Sequence, residues 1–119
     1  FIQQVAKELK MAEKVGRKCM LSFLDIDGLK EINDRYGHVE GDKALRIFSE
    51  KLRKIFGEGA IIARIGGDEF TVFAPGSPEA RFKAALEDLR KKLDIYNFSR
   101  QNPYMLSVSA GVVSYDPSA

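Results

Sequence analysis

Residues Gly66 to Glu69 stand between two strand-like runs, Ala60 to Ile65 and Phe70 to Ala74, and so short a connection can form only a tight turn. The chain must therefore contain a β-hairpin with two acids, Asp68 and Glu69, beside its tip. Upstream, Met20 to Ile26 is a nearly continuous apolar run closed by Asp25 and Asp27, the pattern of a central strand buried on both faces. Downstream, Leu106 to Val113 supplies a last strand.

Helical segments separate these strands. Phe1, Ile2, Val5, Leu9 and Ala12 recur at helical spacing, so an amphipathic helix opens the chain and Gly16 ends it. A short helix over about Leu29 to Tyr36 is bounded by Gly28 and Gly37. A longer one follows Gly41, with Leu45, Phe48, Leu52 and Ile55 on one face, and Gly37, His38 and Gly41 form the tight connection between the two. Pro75, Gly76 and Pro78 break the chain before a helix through Phe82, Ala85, Leu86, Leu89 and Leu93. After the opening helix the order is βααββαβ, the split βαβ arrangement of α/β (α+β) ferredoxin-like or palm-type folds, with helices packed around a central antiparallel sheet. Right-handed crossovers put those helices on one face. That arrangement can seat the first strand beside the hairpin and make neighbours of Asp25 and Asp68.

A chain of 119 residues fits one domain, 1–119, with a core that needs no staples. Its 45% hydrophobic and 30% charged residues exclude a disordered or fibrous protein. The apolar runs are too short to cross a bilayer and no signal-peptide layout opens the chain, so a cytoplasmic domain without membrane contact is expected, in a parent that can still be membrane-anchored. The lone Cys19 excludes an internal disulfide and reads as a small buried hydrophobe. A net charge of +2 gives no argument for a nucleic-acid partner, and Lys7, Lys10, Lys14, Arg17 and Lys18 read as a solvated helix face. His38, the single histidine, reads as a residue packing the turn between helices rather than as an acid-base catalyst.

Two carboxylates converging at a sheet edge form a hard, oxygen-rich site that suits magnesium, and their repulsion disfavours the pair without a cation. By spacing alone, however, Asp68 and Glu69 are ordinary solvated hairpin residues, Asn33 and Asp42 are helix-boundary caps, and Lys30 is a solvated helix lysine. The combination of motifs decides otherwise. Gly66-Gly67-Asp68-Glu69-Phe70 follows Arg64, and Phe23-Leu24-Asp25-Ile26-Asp27 leads into Leu29-Lys30, Ile32-Asn33-Asp34, Gly37-His38 and Gly41-Asp42. Ser107-Val108-Ser109-Ala110-Gly111 adds a later strand motif. With these elements at matching separations from about Met20 to Val113, the chain resembles the GGDEF family of diguanylate cyclases.

That resemblance implies an enzyme that joins two GTP molecules into cyclic di-GMP and two pyrophosphates, for bacterial second-messenger signalling. It implies two divalent cations, magnesium or manganese, held by Asp25, the main-chain carbonyl of Ile26 and Asp68, where they clamp triphosphate oxygens and acidify the attacking 3′-hydroxyl. Asp68 and Glu69 are the implied catalytic residues, Glu69 near the metal or bonded to substrate. Asn33 and Asp42 would read guanine, whose N1–H and N2–H₂ groups suit a carboxylate and an amide. Lys30 and the N–H groups of Gly28 and Leu29 would contact phosphate, since a loop feeding a helix N-terminus presents free donors. Asp27 either supports this loop or caps the following helix. Catalysis in the family needs two domains face to face, hence a homodimer, and the parent protein is expected to carry a sensory or regulatory domain.

Departures from the family pattern set further expectations. The opening Asp-x-Leu-Thr-Gly-Leu-x-Asn-Arg segment and the later Ala-Asp-x-Ala-Leu-Tyr-x-Ala-Lys helix with its final strand are absent, so the domain reads as truncated at both ends. Gly57 and Ala60 occupy the positions of the Arg-x-x-Asp product-inhibition site, so product feedback there is not expected. Leu29 replaces a common Phe with another apolar residue. Two rivals differ in class: a module of the same fold that binds GTP or dimerises without catalysis, and another nucleotidyl transferase on a similar sheet. Retention of Asp25, Asp68 and Glu69 argues against the first, and guanine selection through Asn33 and Asp42 separates the second.

Overall fold

Each strand of the sheet is placed by which of its side chains can be buried. The computed structural model describes Lys7 and Lys10, both helical, together with residues 18–57, 59–99 and 102–116. The rest of the expected opening helix lies outside the described residues. Four strands, β1 (Cys19–Ile26), β2 (Ile61–Arg64), β3 (Glu69–Pro75) and β4 (Val108–Tyr115), form an antiparallel sheet in the order β2-β3-β1-β4. Three helices join them: α1 (Leu29–Tyr36), α2 (His38–Phe56) and α3 (Glu79–Phe98). The βααββαβ order and the split βαβ topology are those expected.

The alternation along β1 shows where the core sits. Met20, Leu24 and Ile26 are buried in one cluster with Phe70, Val72 and Ala74 of β3 and with Leu29, Ile32, Phe48, Leu52, Phe82 and Leu89 of the helices. All three helices thus cover the same face of the sheet. Ser22, also buried there, donates its hydroxyl to the carbonyl of Gly111 at 2.9 Å, which satisfies a polar group the core would otherwise penalise. Aromatic pairs tie helices to sheet and to one another, Phe48 against Phe70 at 5.1 Å and Phe56 against Phe82 at 5.3 Å.

Three sequence expectations are corrected. The strand buried on both faces is β3, where Phe70 through Ala74 are all buried, and not β1, where Phe23 is 52% exposed. Among the described residues, the face away from the helices holds a small buried hydrophobic cluster of Cys19 and Phe73, with Leu21 and Ile61 against it, so an apolar run does not reveal which of its faces is covered. The second correction concerns the α1–α2 connection, which is Gly37 alone: α2 already begins at His38, and Gly41 lies buried in its first turn. Finally, His38 is exposed at the head of α2 and does not pack the connection. Cys19 is buried, as expected, and among the described residues no helix is long and apolar enough to cross a membrane.

The core's dependence on the Phe48 ring gives a direct test. Phe48→Ala removes a side chain only 1% exposed and packed at a tilt against Phe70, and is expected to lower unfolding free energy by about 3–5 kcal/mol in chemical denaturation. A loss below about 1 kcal/mol would show that the α2–sheet contact does not hold the domain together.

Candidate active site

The sheet register brings the acidic residues together. In the β1–β3 ladder Asp25 stands opposite Glu69, and the Ile26 N–H donates to the carbonyl of Asp68 at 3.0 Å. The end of the first core strand and the tip of the hairpin are therefore one place. Asp25, Asp68 and Glu69 each offer a carboxylate oxygen, and these atoms lie within 4.8 Å of one another. Asp25 and Glu69 are exposed and Asp68 is half-buried. Three like charges so close repel, and a hard divalent cation with oxygen preference relieves them. The donor set fits such a cation, with the half-buried Asp68 giving it an inner wall and the exposed pair leaving room for further ligands. Glu69 joins Asp25 and Asp68 in one cluster.

Arg64 fixes the hairpin tip. Its guanidinium donates to the carbonyls of Gly66 at 3.1 Å and Gly67 at 3.2 and 3.0 Å, while the Ile65 N–H reaches the carbonyl of Glu69 at 2.8 Å. The sequence showed Arg64 beside the motif without giving it a task. The signal available was the pair of turn carbonyls, which need donors that two glycine side chains cannot supply.

The loop after β1 is braced from the other side of the sheet. Asp27 donates its N–H to the carbonyl of Ser107 at 3.0 Å, and its carboxylate accepts from the hydroxyls of Ser107 at 2.9 Å and Ser109 at 2.7 Å. Of the two readings left open for Asp27, the loop support holds: α1 is entered through Gly28, with no side-chain cap. Ser107 and Ser109 were visible as a motif, but their partner lies 80 and 82 residues away and no local pattern announces it. Gly28 has φ 71°, a left-handed conformation that favours glycine, and it turns the chain from the braced loop into the helix. Because no side chain caps α1, its first N–H groups are open to an anion, and Lys30 stands exposed on the same turn. Leu29 is buried in the core, as an apolar replacement at that position requires.

Asn33 and Asp42 are brought close through a glycine. Asn33 is half-buried, and its carboxamide lies so near the Gly41 backbone that a Cβ at Gly41 would collide with it. Asp42 follows at once, exposed at a cleft of about 380 Å³ between α2 and β2 that Leu45, Arg46, Ile62, Arg64 and Phe70 also line. Arg64 thus belongs both to the hairpin tip and to the wall of this cleft. Asn33 does not line it; its tie to Asp42 is the Gly41 contact.

Comparison with known proteins matches this architecture. The family model described as "Diguanylate cyclase, GGDEF domain" matches residues 1–119. The chain is 34% identical over 115 residues to the diguanylate cyclase DgcP of Pseudomonas aeruginosa, covering 96% of this chain and 17% of that protein. It is 41% identical over 93 residues to the probable diguanylate cyclase DgcF of Escherichia coli K12, covering 77% of this chain and 30% of that protein. The chain therefore spans less than a third of the length of these curated relatives. Among solved structures, the GGDEF domain of DgcB from Caulobacter crescentus, in complex with c-di-GMP, superposes with a TM-score of 0.89 at 25% identity, over 100% of this chain and 72% of that one.

The brace between the β1 loop and β4 predicts energetic coupling. In a double-mutant cycle, Asp27→Ala and Ser109→Ala are expected to show a coupling of about 1 kcal/mol in unfolding free energy. Strictly additive losses would mean that the carboxylate–hydroxyl contact does not hold the loop.

Proposed function

Because the chain belongs to the GGDEF domain family and carries that motif complete at its hairpin tip, we propose that it is the catalytic domain of a diguanylate cyclase, which joins two GTP molecules into cyclic di-GMP and releases two pyrophosphates. The observation that carries this reading is the convergence of Asp25, Asp68 and Glu69 within 4.8 Å at the end of β1, where the chain leads into the uncapped start of α1.

In this reading Asp25, Asp68 and the Ile26 carbonyl hold divalent cations, magnesium or manganese, two per site, with Glu69 completing the acidic wall. The bound cations supply charge neutralisation at the triphosphate and acidify the 3′-hydroxyl. The rest of the work is positioning by the chain itself. The N–H groups of Gly28 and Leu29 donate to phosphate oxygens, and Lys30 adds a cation on the same turn. Asp27, held by Ser107 and Ser109, keeps that loop in place. Asp42 accepts from the guanine N1–H and N2–H₂ groups, and Asn33 supplies an amide that both donates and accepts. Adenine lacks those donors, so ATP leaves the pair unsatisfied.

A single domain of this kind carries one GTP, so ring closure takes two copies face to face, each presenting its 3′-hydroxyl to the other's α-phosphate. Residues 1–119 act here as one catalytic unit within a longer protein, where a sensory or regulatory partner domain would control the meeting of the two copies.

Incubating the protein with GTP and magnesium is expected to yield cyclic di-GMP by mass spectrometry, and Asp68→Asn to fold normally and lose turnover by about two orders of magnitude or more. Undiminished synthesis by that variant would remove the metal assignment. Gly41→Ala gives a second test, since its helical backbone tolerates alanine while the new Cβ displaces Asn33. Its GTP affinity should fall about tenfold with ATP affinity unchanged. Equal effects on the two nucleotides would refute guanine reading by Asn33.

A further inference from the structure

Between α3 and β4 the chain returns across the α1–α2 junction and is fastened there on both sides. Asn97 brackets Leu106, donating from Nδ2 to its carbonyl at 2.7 Å and accepting its N–H at 2.8 Å, and Leu106 is buried. From this anchor the ring of Tyr104 lies against that of Tyr36, centroids 5.4 Å apart, and the Tyr36 hydroxyl reaches the carbonyl of Pro103 at 3.4 Å. The Tyr104 hydroxyl donates to Glu40, with its carboxylate at 2.9 Å and its carbonyl at 3.2 Å.

What these contacts grip is specific. Tyr36 is the last residue of α1, three after Asn33, and the Gly37 N–H closes onto the Asn33 carbonyl at 2.9 Å. Glu40 is in the first turn of α2, directly before Gly41 and two residues before Asp42. One tyrosine therefore touches the end of the helix that carries Asn33 and the start of the helix that carries Asp42. The start of α2, where Glu40 lies, has no side-chain cap, and helix ends fray. Partial burial, reinforced by the Glu40 carboxylate, pushes the Tyr104 hydroxyl above the usual tyrosine range, so it remains a donor across the working range of pH. None of the roles proposed above for the reaction falls to Tyr104.

We infer that Tyr104 is a positioning residue for nucleotide selection, setting the spacing of Asn33 and Asp42 through its contacts with Tyr36 and Glu40. The inference rests on the reading that those two residues recognise guanine. Hydrogen-bond discrimination tolerates little displacement, since a donor and acceptor moved by about 0.5 Å lose much of their bond. A tie that fixes the junction from outside therefore acts on selectivity, while the chemistry at the acidic cluster proceeds on other elements.

The test measures dissociation constants for GTP and ATP, with thermal unfolding as a parallel readout. Tyr104→Phe keeps the ring on Tyr36 and removes the hydroxyl. It is expected to reduce the GTP-over-ATP preference about fivefold, as loss of one hydrogen bond implies, through weaker GTP binding alone. Glu40→Ala should do the same, and Glu40→Gln, which keeps an acceptor, should restore most of the preference. Asp42→Ala serves as the control for the underlying reading. If Asp42→Ala abolishes the preference while Tyr104→Phe leaves it unchanged, this inference alone falls. A wild-type protein without GTP preference, or one whose preference survives Asp42→Ala, overturns the guanine reading and this inference with it. Parallel losses for GTP and ATP in Tyr104→Phe, together with a lowered unfolding temperature, would show a role in stability only and refute the inference.

Discussion

The site depends on the pairing register of β1 with β3. Asp25 faces Glu69 and the Ile26 N–H meets the Asp68 carbonyl only in this register, and a slip of one residue would turn every side chain of a strand to the opposite face. The register is set on the face of the sheet that the helices cover, by Met20, Leu24 and Ile26 packing there together with Phe70, Val72 and Ala74. Burial of those apolar groups supplies the free energy that holds three mutually repelling carboxylates together. Core packing and site geometry are thus two results of one alternation.

Around that fixed point the remaining parts are positioned by separate ties. Arg64 closes the hairpin tip through carbonyls that no side chain of the turn could serve. Asp27 joins the β1 loop to β4 through two serine hydroxyls, and Tyr104 joins the ends of α1 and α2. Each tie is a small set of hydrogen bonds, several of them to charged groups, and of modest net strength. Their value lies in being placed where backbone elements end, at strand termini and uncapped helix starts, where the polypeptide is otherwise least constrained. The residues proposed to meet phosphate, metal and base stand next to these tied ends.

Much of this was legible in the sequence because the decisive signals are local. A four-residue gap between two strand-like runs forces the hairpin, and the Gly-Gly-Asp-Glu-Phe motif at that gap places acids at its tip. The helix periods and the βααββαβ order follow from spacing alone. Facing was not legible: Phe23 contributes to an apolar run whether or not its side of the sheet is covered, and here it is half exposed. The start of α2 is masked in the sequence because glycine at position 41 reads as a breaker, whereas its task is to admit the Asn33 carboxamide against the helix. Contacts such as Tyr104 with Glu40, 64 residues apart, and Asp27 with Ser109, 82 apart, exist only once the sheet and its connections are built.

Electron paramagnetic resonance of manganese added with a non-hydrolysable GTP analogue tests most directly whether the strand end and the hairpin tip grip a metal together. Manganese bound tightly by the protein–nucleotide complex, and released when either Asp25 or Asp68 is replaced by asparagine, is the result this account predicts. Manganese whose spectrum and affinity are unchanged by both replacements would contradict it.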